Sequence, residues 1–570
     1  MRKWRPFGQQ KVFVLREPFR PYEKAWTESP ALRPFAACLT PWYRLRNLLT
    51  RNAFLQARLP NLPGVQQLPA WAQSLHLSFT LGELFFLFPL LLGTIAYCVL
   101  AIVKEWSVGI TGAIAGYPLV VVYALGSRNS LLTFLLGIPF ERALFWHKFL
   151  GSFVTLAFGW VHGARAFLAK CEDHGGEIDE LHHRLAMLDH AHRSQHFPAI
   201  PPISGILLAG VLTMVTLFAL PTVRRRLFNL FYVLHILLAL TVLAFCILHG
   251  CGSIMLGVSL WAIDLMIRFW LGRRTKMATA TRLPGNVVRL SFPQRKRDRI
   301  TFSSGQYVFL MVPELNIFEW HPFSISSAPH EGQLTLHIRV LGNWTRSLHK
   351  LIEKKGGGPV EIPAHLEGPY GTPELDLHGC GYKLFLLVSG GIGITPMQSI
   401  ATSLAFEAEA LDRPLKKVWF VWSCSDARLM EADLPHDALW STASSKLPLA
   451  FQPDSIGRFT NTDEGFKDRD ADKASELVKL HAEFFLTRAR KSAREAANIR
   501  PEMQPYVRFG RPDIPDIFAT FKAYAQKVGE SKVAVLTCGP DSMVDSVRAA
   551  CGAASGGGVS FHFHSETFAF

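Results

Sequence analysis

Polar residues are scarce in one block of the chain and ordinary elsewhere. Within residues 81–271, six runs are almost wholly apolar: Leu81–Val103, Val108–Gly126, Ala143–Gly163, Ile203–Leu220, Phe228–Gly250 and Ile254–Leu271. Each approaches the roughly 20 residues a helix needs to cross a hydrocarbon core. The first holds one charge, Glu83, the second none, and the last holds Asp264 and Arg268. One such run is often a buried core helix, but six in succession predict a multi-pass α-helical membrane domain of six spans. The pattern changes after Arg274. Asn286–Phe292, Gln306–Val312 and Gln333–Leu341 read as strands bounded by glycine and proline. From Lys383 the order is strand (Lys383–Ser389), glycine loop (Gly390–Gly393), helix (Pro396–Glu409) and strand (Lys417–Trp422). Such a βαβ unit implies a parallel sheet. Residues 427–515 are polar and carry an expected helix at Ser475–Asn498; they read as an insertion before the final strand, Val533–Gly539.

Composition sharpens this picture. Only 18% of the 570 residues are charged, against about 25% in soluble domains, yet the net charge is +15. Met1–Leu75 holds 12 Lys/Arg against three acids and no signal-peptide core, so it is expected to stay cytosolic. Arg224-Arg225-Arg226 and Arg273-Arg274 fall on the same side if all six spans count. An even number of spans then puts both termini in the cytosol and the loop 164–202 outside. The positive excess serves orientation rather than nucleic-acid binding. Nine cysteines without a CxxC pair indicate neither a disulfide framework nor a cysteine-rich zinc site.

Histidine inside a span is expensive and suggests function. The third run carries His147 and His162, and the fifth carries His235 and His249. Separations of 15 and 14 residues return each pair to nearly one helical face, roughly 21–22 Å apart along the axis. Two such helices facing each other would present one histidine pair near each membrane face, an arrangement that can hold two haems by axial imidazoles. A single histidine could merely bond a neighbouring helix; two matched pairs are harder to explain so.

Further motifs follow. His321-Pro322-Phe323-Ser324-Ile325-Ser326 precedes His337-Ile338-Arg339 and Gly342-Asn343-Trp344-Thr345. A hydroxyl can bond a flavin ring, an arginine can neutralise pyrophosphate, and a Gly-x-x-Thr turn can offer backbone N–H groups. Gly390-Gly391-Ile392-Gly393-Ile394-Thr395-Pro396 lets phosphate approach backbone between strand and helix, although a structural turn would look alike. Cys538-Gly539-Pro540 ends another apolar strand and could set a thiol beside a nicotinamide; a buried structural cysteine is the plainer reading.

In this order the motifs, with Arg128-Asn129-Ser130, Glu367–Gly371, Gly510-Arg511-Pro512 and the aromatic end at Phe570, resemble the ferric reductase/NADPH oxidase superfamily over about residues 77–570. The resemblance implies a basic cytosolic segment (1–76), a six-helix domain holding two b haems (77–272), and a ferredoxin-reductase-like module. That module would comprise an antiparallel β-barrel FAD domain (273–381) and a Rossmann-like NADPH domain (382–570) containing the insertion 427–515. Electrons would pass from NADPH to FAD, then to the inner haem, the outer haem and an extracytoplasmic acceptor. His147 and His235 would hold the inner haem, His162 and His249 the outer. His321, Pro322, Phe323, Ser324, Ser326, His337, Arg339, Trp344 and Thr345 would bind FAD. Gly390, Gly391, Gly393, Thr395, Pro396, Arg511, Cys538, Gly539 and Pro540 would bind the dinucleotide, with Cys538 and Phe570 at the hydride-transfer centre and Phe570 covering the flavin. Many relatives carry Cys-Arg-Asp where this chain reads Cys424-Ser425-Asp426, so Arg428 or Arg511 would have to meet the 2′-phosphate if the coenzyme is NADPH rather than NADH.

The acceptor divides the superfamily. Superoxide-producing animal relatives place another histidine one turn beyond the outer ligand; here that position is Ala166, beside Arg165, and Val108–Gly126 lacks the arginine they carry. Six histidines (His174, His182, His183, His190, His192, His196) lie among acids between Cys171 and Ile200, a set suited to copper, zinc or iron or simply to a solvated helix. These features favour a ferric or cupric chelate, with superoxide-generating oxygen reduction as the alternative and a channel or transporter with a nucleotide-binding tail as an outside reading. A plasma-membrane location is expected, and homo-oligomerisation stays open.

Overall fold

All six apolar runs are helical, the form in which a backbone without water satisfies its own hydrogen bonds. The structure, a computed structural model, describes residues 81–104, 106–128, 140–175, 203–294, 300–371, 377, 381–410, 413–431, 480–488 and 507–566. The helices are α1 (Leu81–Val103), α2 (Val108–Leu125), α3 (Phe140–Phe149), α4 (Thr155–Gly175), α5 (Ile203–Phe218), α6 (Pro221–Arg226), α7 (Phe228–Leu248) and α8 (Ile254–Gly272). A π-helical turn, Leu150–Val154, joins α3 to α4. Among the described residues, three stretches are each long and apolar enough to cross a membrane: Val108–Leu125, Ala143–Ala169 and Leu230–Leu248. Phe88–Val103 and Ile203–Phe218 are apolar but shorter. Phe153, Phe167 and Phe269 are exposed, whereas Tyr97, Leu125, Leu150 and Phe158 pack together inside. Such an arrangement suits a lipid surround.

The described residues fall into two units, one ending at Trp270 and the other beginning at Leu271. In the second, a first sheet contains β1 (Thr275–Leu283), β2 (Val287–Pro293), β3 (Tyr307–Met311), β4 (His321–Ser324), β5 (Gln333–Arg339) and β6 (Val360–Tyr370). Its order is β4-β3-β6-β1-β2-β5, antiparallel throughout. A bridge between Ile325 and Leu336 brings the chain beyond β4 alongside β5. Helix α9 (Asn343–Lys354) closes one end, burying Trp344, Leu348 and Ile352.

The second sheet is parallel, in the order β10-β9-β8-β7-β11-β12. Its elements are β7 (Leu384–Gly390), α10 (Ile394–Ala410), β8 (Lys417–Cys424), α11 (Arg428–Glu431), β9 (Leu480–Leu486), β10 (Val507–Phe509), α12 (Ile514–Lys527), β11 (Lys532–Cys538), α13 (Asp541–Ala554) and β12 (Ser560–Glu566). Helix α10 covers one face through Met397, Ile400 and Leu404. Helices α12 and α13 cover the other through Ile517, Phe518, Phe521, Val544 and Val547. This is a doubly wound layer.

Three expectations are corrected here. The helix expected at Ser475–Asn498 gives way to strand β9, and residues 427–515 supply β9 and β10 to the sheet instead of standing wholly outside it. Ala482, Phe484 and Leu486 enter one core while Phe485 enters the other. Burial on both faces of a sheet thus overrides the helical pattern of the flanking charges. Val533–Gly539 is also not the last strand, because β12 pairs along it. Since Phe484 is fully buried, Phe484→Ala should cost about 3–5 kcal/mol. Thermal unfolding followed by tryptophan fluorescence checks this, and an unshifted midpoint would show that β9 is not part of the core.

Candidate functional site

The four membrane histidines meet in two pairs. The His147 and His235 ring centres are 6.1 Å apart, and those of His162 and His249 are 5.9 Å apart, with interplanar angles of 71° and 70°. Two imidazoles that ligate one iron from opposite sides at about 2 Å each place their ring centres roughly 6 Å apart, so both pairs fit a bis-histidine haem. The π turn between His147 and His162 resolves the mismatch between the 15- and 14-residue spacings. A π turn absorbs one residue without advancing the helical face. The third run therefore presents its two rings in nearly the same phase as the fifth.

Three of the four rings have a partner for the nitrogen turned away from the pair. His147 Nδ1 is 2.8 Å from Val122 O, His162 Nδ1 is 3.0 Å from Thr111 Oγ1, and His249 Nδ1 is 3.1 Å from Ser204 Oγ. Among the described residues, His235 Nδ1 is buried without a hydrogen-bond partner. Metal-bound histidines commonly use the second nitrogen in this way, which fixes the tautomer and frees Nε2. Glycines give the rings room. A Cβ added at Gly112, Gly126 or Gly205 would lie 3.0, 3.4 or 2.8 Å from Cε1 of His162, His147 or His249, respectively. Sequence reasoning missed Thr111, Ser204 and all three glycines. The signal was present as hydroxyl–glycine dipeptides, Thr111-Gly112 and Ser204-Gly205, inside apolar runs. Arg165, three residues beyond His162, is buried and donates its Nε–H to Trp106 O at 3.0 Å.

A second cluster gathers at the carboxyl ends of the parallel strands. The chain builds β8, β9 and β10 to one side of β7 and then β11 and β12 to the other. Such a reversal opens a crevice where nucleotides bind. Gly390–Gly393 and Cys538–Pro540 face each other there. A Cβ at Gly390 would fall 2.7 Å from Pro540 Cδ, one at Gly539 would fall 3.0 Å from Gly390 N, and one at Gly393 would run into Cys538 O. Trp422 braces the loop by donating Nε1–H to Gly391 O at 2.9 Å, and Thr395 Oγ1 donates to Ile392 O at 3.1 Å. Pro396 lies in the first turn of α10. Arg428 closes on Asp426 at 3.2 and 3.3 Å, while Arg511 is exposed just beyond β10. Burial alone would raise the Asp426 carboxyl, but the Arg428 hydrogen bonds and charge outweigh it and hold the carboxyl below its ordinary value. Cys538 is fully buried, and burial, reinforced by Glu566, pushes its thiol well above the usual range. It is a neutral wall of the crevice rather than a thiolate.

The flavin-type motifs separate into two groups. The His321 ring lies 4.5 Å from Trp344, and Phe323 lies 5.8 Å from it. Pro322 and Ser324 share the short strand β4, with Ser324 opposite Tyr307. Burial lowers the His321 pKa against the pull of Glu319 at 3.4 Å. Thr345 Oγ1 accepts the Leu341 and Gly342 N–H groups at 3.0 Å each, capping α9. Arg339 ends β5 beside the nucleotide loop, its Nη1 3.5 Å from a Cβ added at Gly391. Ser326 and His337 lie apart from the Trp344 group. They bond each other at 2.7 Å and line a polar cavity of about 460 Å³ with Thr335 and Gln398. Phe570, the histidine-rich segment between Cys171 and Ile200 beyond Gly175, and residues 1–76 lie outside the described residues.

A membrane unit with paired imidazoles, followed by an antiparallel sheet and a doubly wound nucleotide sheet, defines the class. Residues 111–246 match the ferric reductase like transmembrane component family, 273–374 an FAD-binding domain and 382–552 the ferric reductase NAD binding domain. The chain belongs to the ferric reductase/NADPH oxidase superfamily. It is 28% identical to human dual oxidase 2 over 62% of this chain and 22% of that protein. It is 26% identical to a superoxide-generating NADPH oxidase heavy chain of Dictyostelium discoideum, over 77% of this chain and 85% of that one. Among solved structures, phthalate dioxygenase reductase is 18% identical, with 51% of this chain and 67% of that chain covered and a TM-score of 0.30. The match thus spans about a fifth of the dual oxidase's length.

The tight packing at Gly205 yields a test. With 2.8 Å between an added Cβ and His249 Cε1, Gly205→Ala should displace that ring. If each histidine pair holds one haem, about half of the b-type absorbance should then disappear. Full absorbance in a reduced-minus-oxidised spectrum would show that the ring has room to move.

Proposed function

We propose that the chain is a transmembrane oxidoreductase that draws electrons from NADPH and delivers them across the membrane to oxygen. The observation that carries the electron path is the stacking of two imidazole pairs, each about 6 Å across, on the same two stretches of helix. His147 and His235 hold the inner haem, and His162 and His249 the outer one. FAD, when bound, accepts hydride as two electrons and releases them singly to haem. The chain's residues bind and orient. Gly390, Gly391 and Gly393 admit the pyrophosphate, while Thr395 and Pro396 shape the first turn behind it. Arg428 or Arg511 meets the 2′-phosphate in place of the missing arginine at Ser425. Cys538, Gly539 and Pro540 form the far wall for the nicotinamide. His321, Phe323, Ser324, Arg339, Trp344 and Thr345 hold the flavin nucleotide, with Pro322 shaping β4. Ser326 and His337 brace β5 behind it. Glu566 pairs with Cys538 across β11 and β12, and Phe570 covers the flavin in this reading.

The acceptor reading differs from the sequence expectation. Ala166 and the lack of an arginine in Val108–Gly126 favour a metal chelate. The relatives, however, are named as oxidases, and the Dictyostelium protein as superoxide-generating. Oxygen therefore takes precedence here. Six spans with both termini in the cytosol complete the proposal on the strength of the charge distribution, with the plasma membrane as the expected location.

Two measurements test it. His162→Leu should abolish transmembrane electron delivery and the outer haem while NADPH still reduces a soluble dye through the flavin; unchanged haem content would refute the ligand assignment. In membranes given NADPH, reduction of an external cytochrome should be suppressed by superoxide dismutase. Dismutase-insensitive reduction of a ferric chelate would instead restore the metalloreductase.

A further inference from the structure

The two outer imidazoles are supported alike from opposite sides, and the inner two are not. On α2, Thr111 bonds His162 Nδ1 and Gly112 clears its ring; on α5, Ser204 bonds His249 Nδ1 and Gly205 clears its ring. The same dipeptide logic thus recurs on two helices distant in sequence. Both hydroxyl residues are buried, Thr111 at 0% and Ser204 at 4% exposure. Among the described residues, the inner pair has one backbone carbonyl, Val122 O, on His147 and no partner on His235 Nδ1.

The direction of the Thr111 bond follows from its surroundings. Its hydroxyl lies 3.0 Å from Val108 O, a carbonyl that can only accept, so the hydroxyl hydrogen is engaged there. The lone pair facing His162 therefore accepts, and Nδ1 carries the proton. Nε2 is left bare for a metal. Tyr97 holds this turn of α2 in place by donating its hydroxyl to Thr111 O at 3.0 Å while stacking on Phe158 at 4.2 Å.

We propose that Thr111 and Ser204 are paired positioning residues of the outer site, whose hydroxyls accept the Nδ1 protons of His162 and His249 and so fix the orientation and basicity of both outer ligands. The proposal rests on the bis-histidine haem reading above. A ligand whose second nitrogen donates a hydrogen bond is more basic, which favours ferric over ferrous iron. Thr111 and Ser204 therefore hold down the outer reduction potential, and the inner potential is independent of them.

The test is a potentiometric titration of the full chain in lipid nanodiscs, with haem stoichiometry measured on each sample. Thr111→Val and Ser204→Ala should each raise the outer midpoint, the double variant should raise it further, and the inner midpoint should stay in place. Loss of such second partners weakens metal binding by about 10–100-fold, so the outer haem should also dissociate more readily on dilution. Thr111→Ser, which keeps the hydroxyl, should behave as wild type; if it shifts as far as Thr111→Val, the hydroxyl is not responsible and the proposal fails. Two bound haems with an unshifted outer midpoint in the double variant would also overturn it, leaving the haem reading intact. A wild-type chain that binds no haem would overturn the parent reading and this inference with it.

Discussion

A histidine among hydrocarbon side chains has two ring nitrogens, and if one serves a metal the other still needs a partner. An unpaired polar group in an apolar medium costs several kcal/mol, and much of the membrane unit's local sequence answers that cost. Val122 O, Thr111 and Ser204 lie where the imidazoles require an acceptor. Glycines stand where a side chain would push a ring away. The π turn at Leu150–Val154 keeps His147 and His162 on one face. Helices α2 and α5 carry none of the four histidines, yet the hydroxyls that meet His162 and His249 come from them.

The nucleotide crevice depends on a comparable economy of space. Two loops from neighbouring strands, Gly390–Gly393 and Cys538–Pro540, approach so closely that only glycine fits between them. Close packing on the floor of the crevice leaves backbone, not side chains, to line it, as phosphate recognition requires. Trp422 adds a rigid prop from β8. The buried, protonated state of Cys538 follows from the same packing, since burial and the nearby Glu566 both disfavour the thiolate.

Much of this was legible in the sequence, for identifiable reasons. The apolar runs and the β7–α10–β8 unit are periodic and bounded, so their types and limits stand out. The four histidines were readable because charge-bearing groups are rare in such runs. Their supports were not, because Thr, Ser and Gly in a membrane helix are equally common as packing residues. Strand β9 was lost for another reason: seven residues, Leu480–Leu486, sit beside long charged stretches whose helical pattern dominates any window. Only the sheet's two cores reveal why Phe484 and Phe485 point opposite ways. Ser326 and His337, expected from the motif to contact flavin, bond each other and line a polar cavity.

The unequal support of the two pairs also bears on which end of the electron path can change. The inner ring of His147 leans on a backbone carbonyl, which no substitution at Val122 removes. Both outer rings lean on side-chain hydroxyls, each removable by a single replacement. A potential set by backbone is fixed by the fold, whereas one set by Thr111 and Ser204 is open to sequence variation without rebuilding a helix. The superfamily's members differ at the acceptor end, where the outer pair must match oxygen or a chelate. On the proposed function, placing the adjustable hydrogen bonds there, and the unadjustable one beside the inner pair, would let the acceptor change while the supply of electrons stays constant.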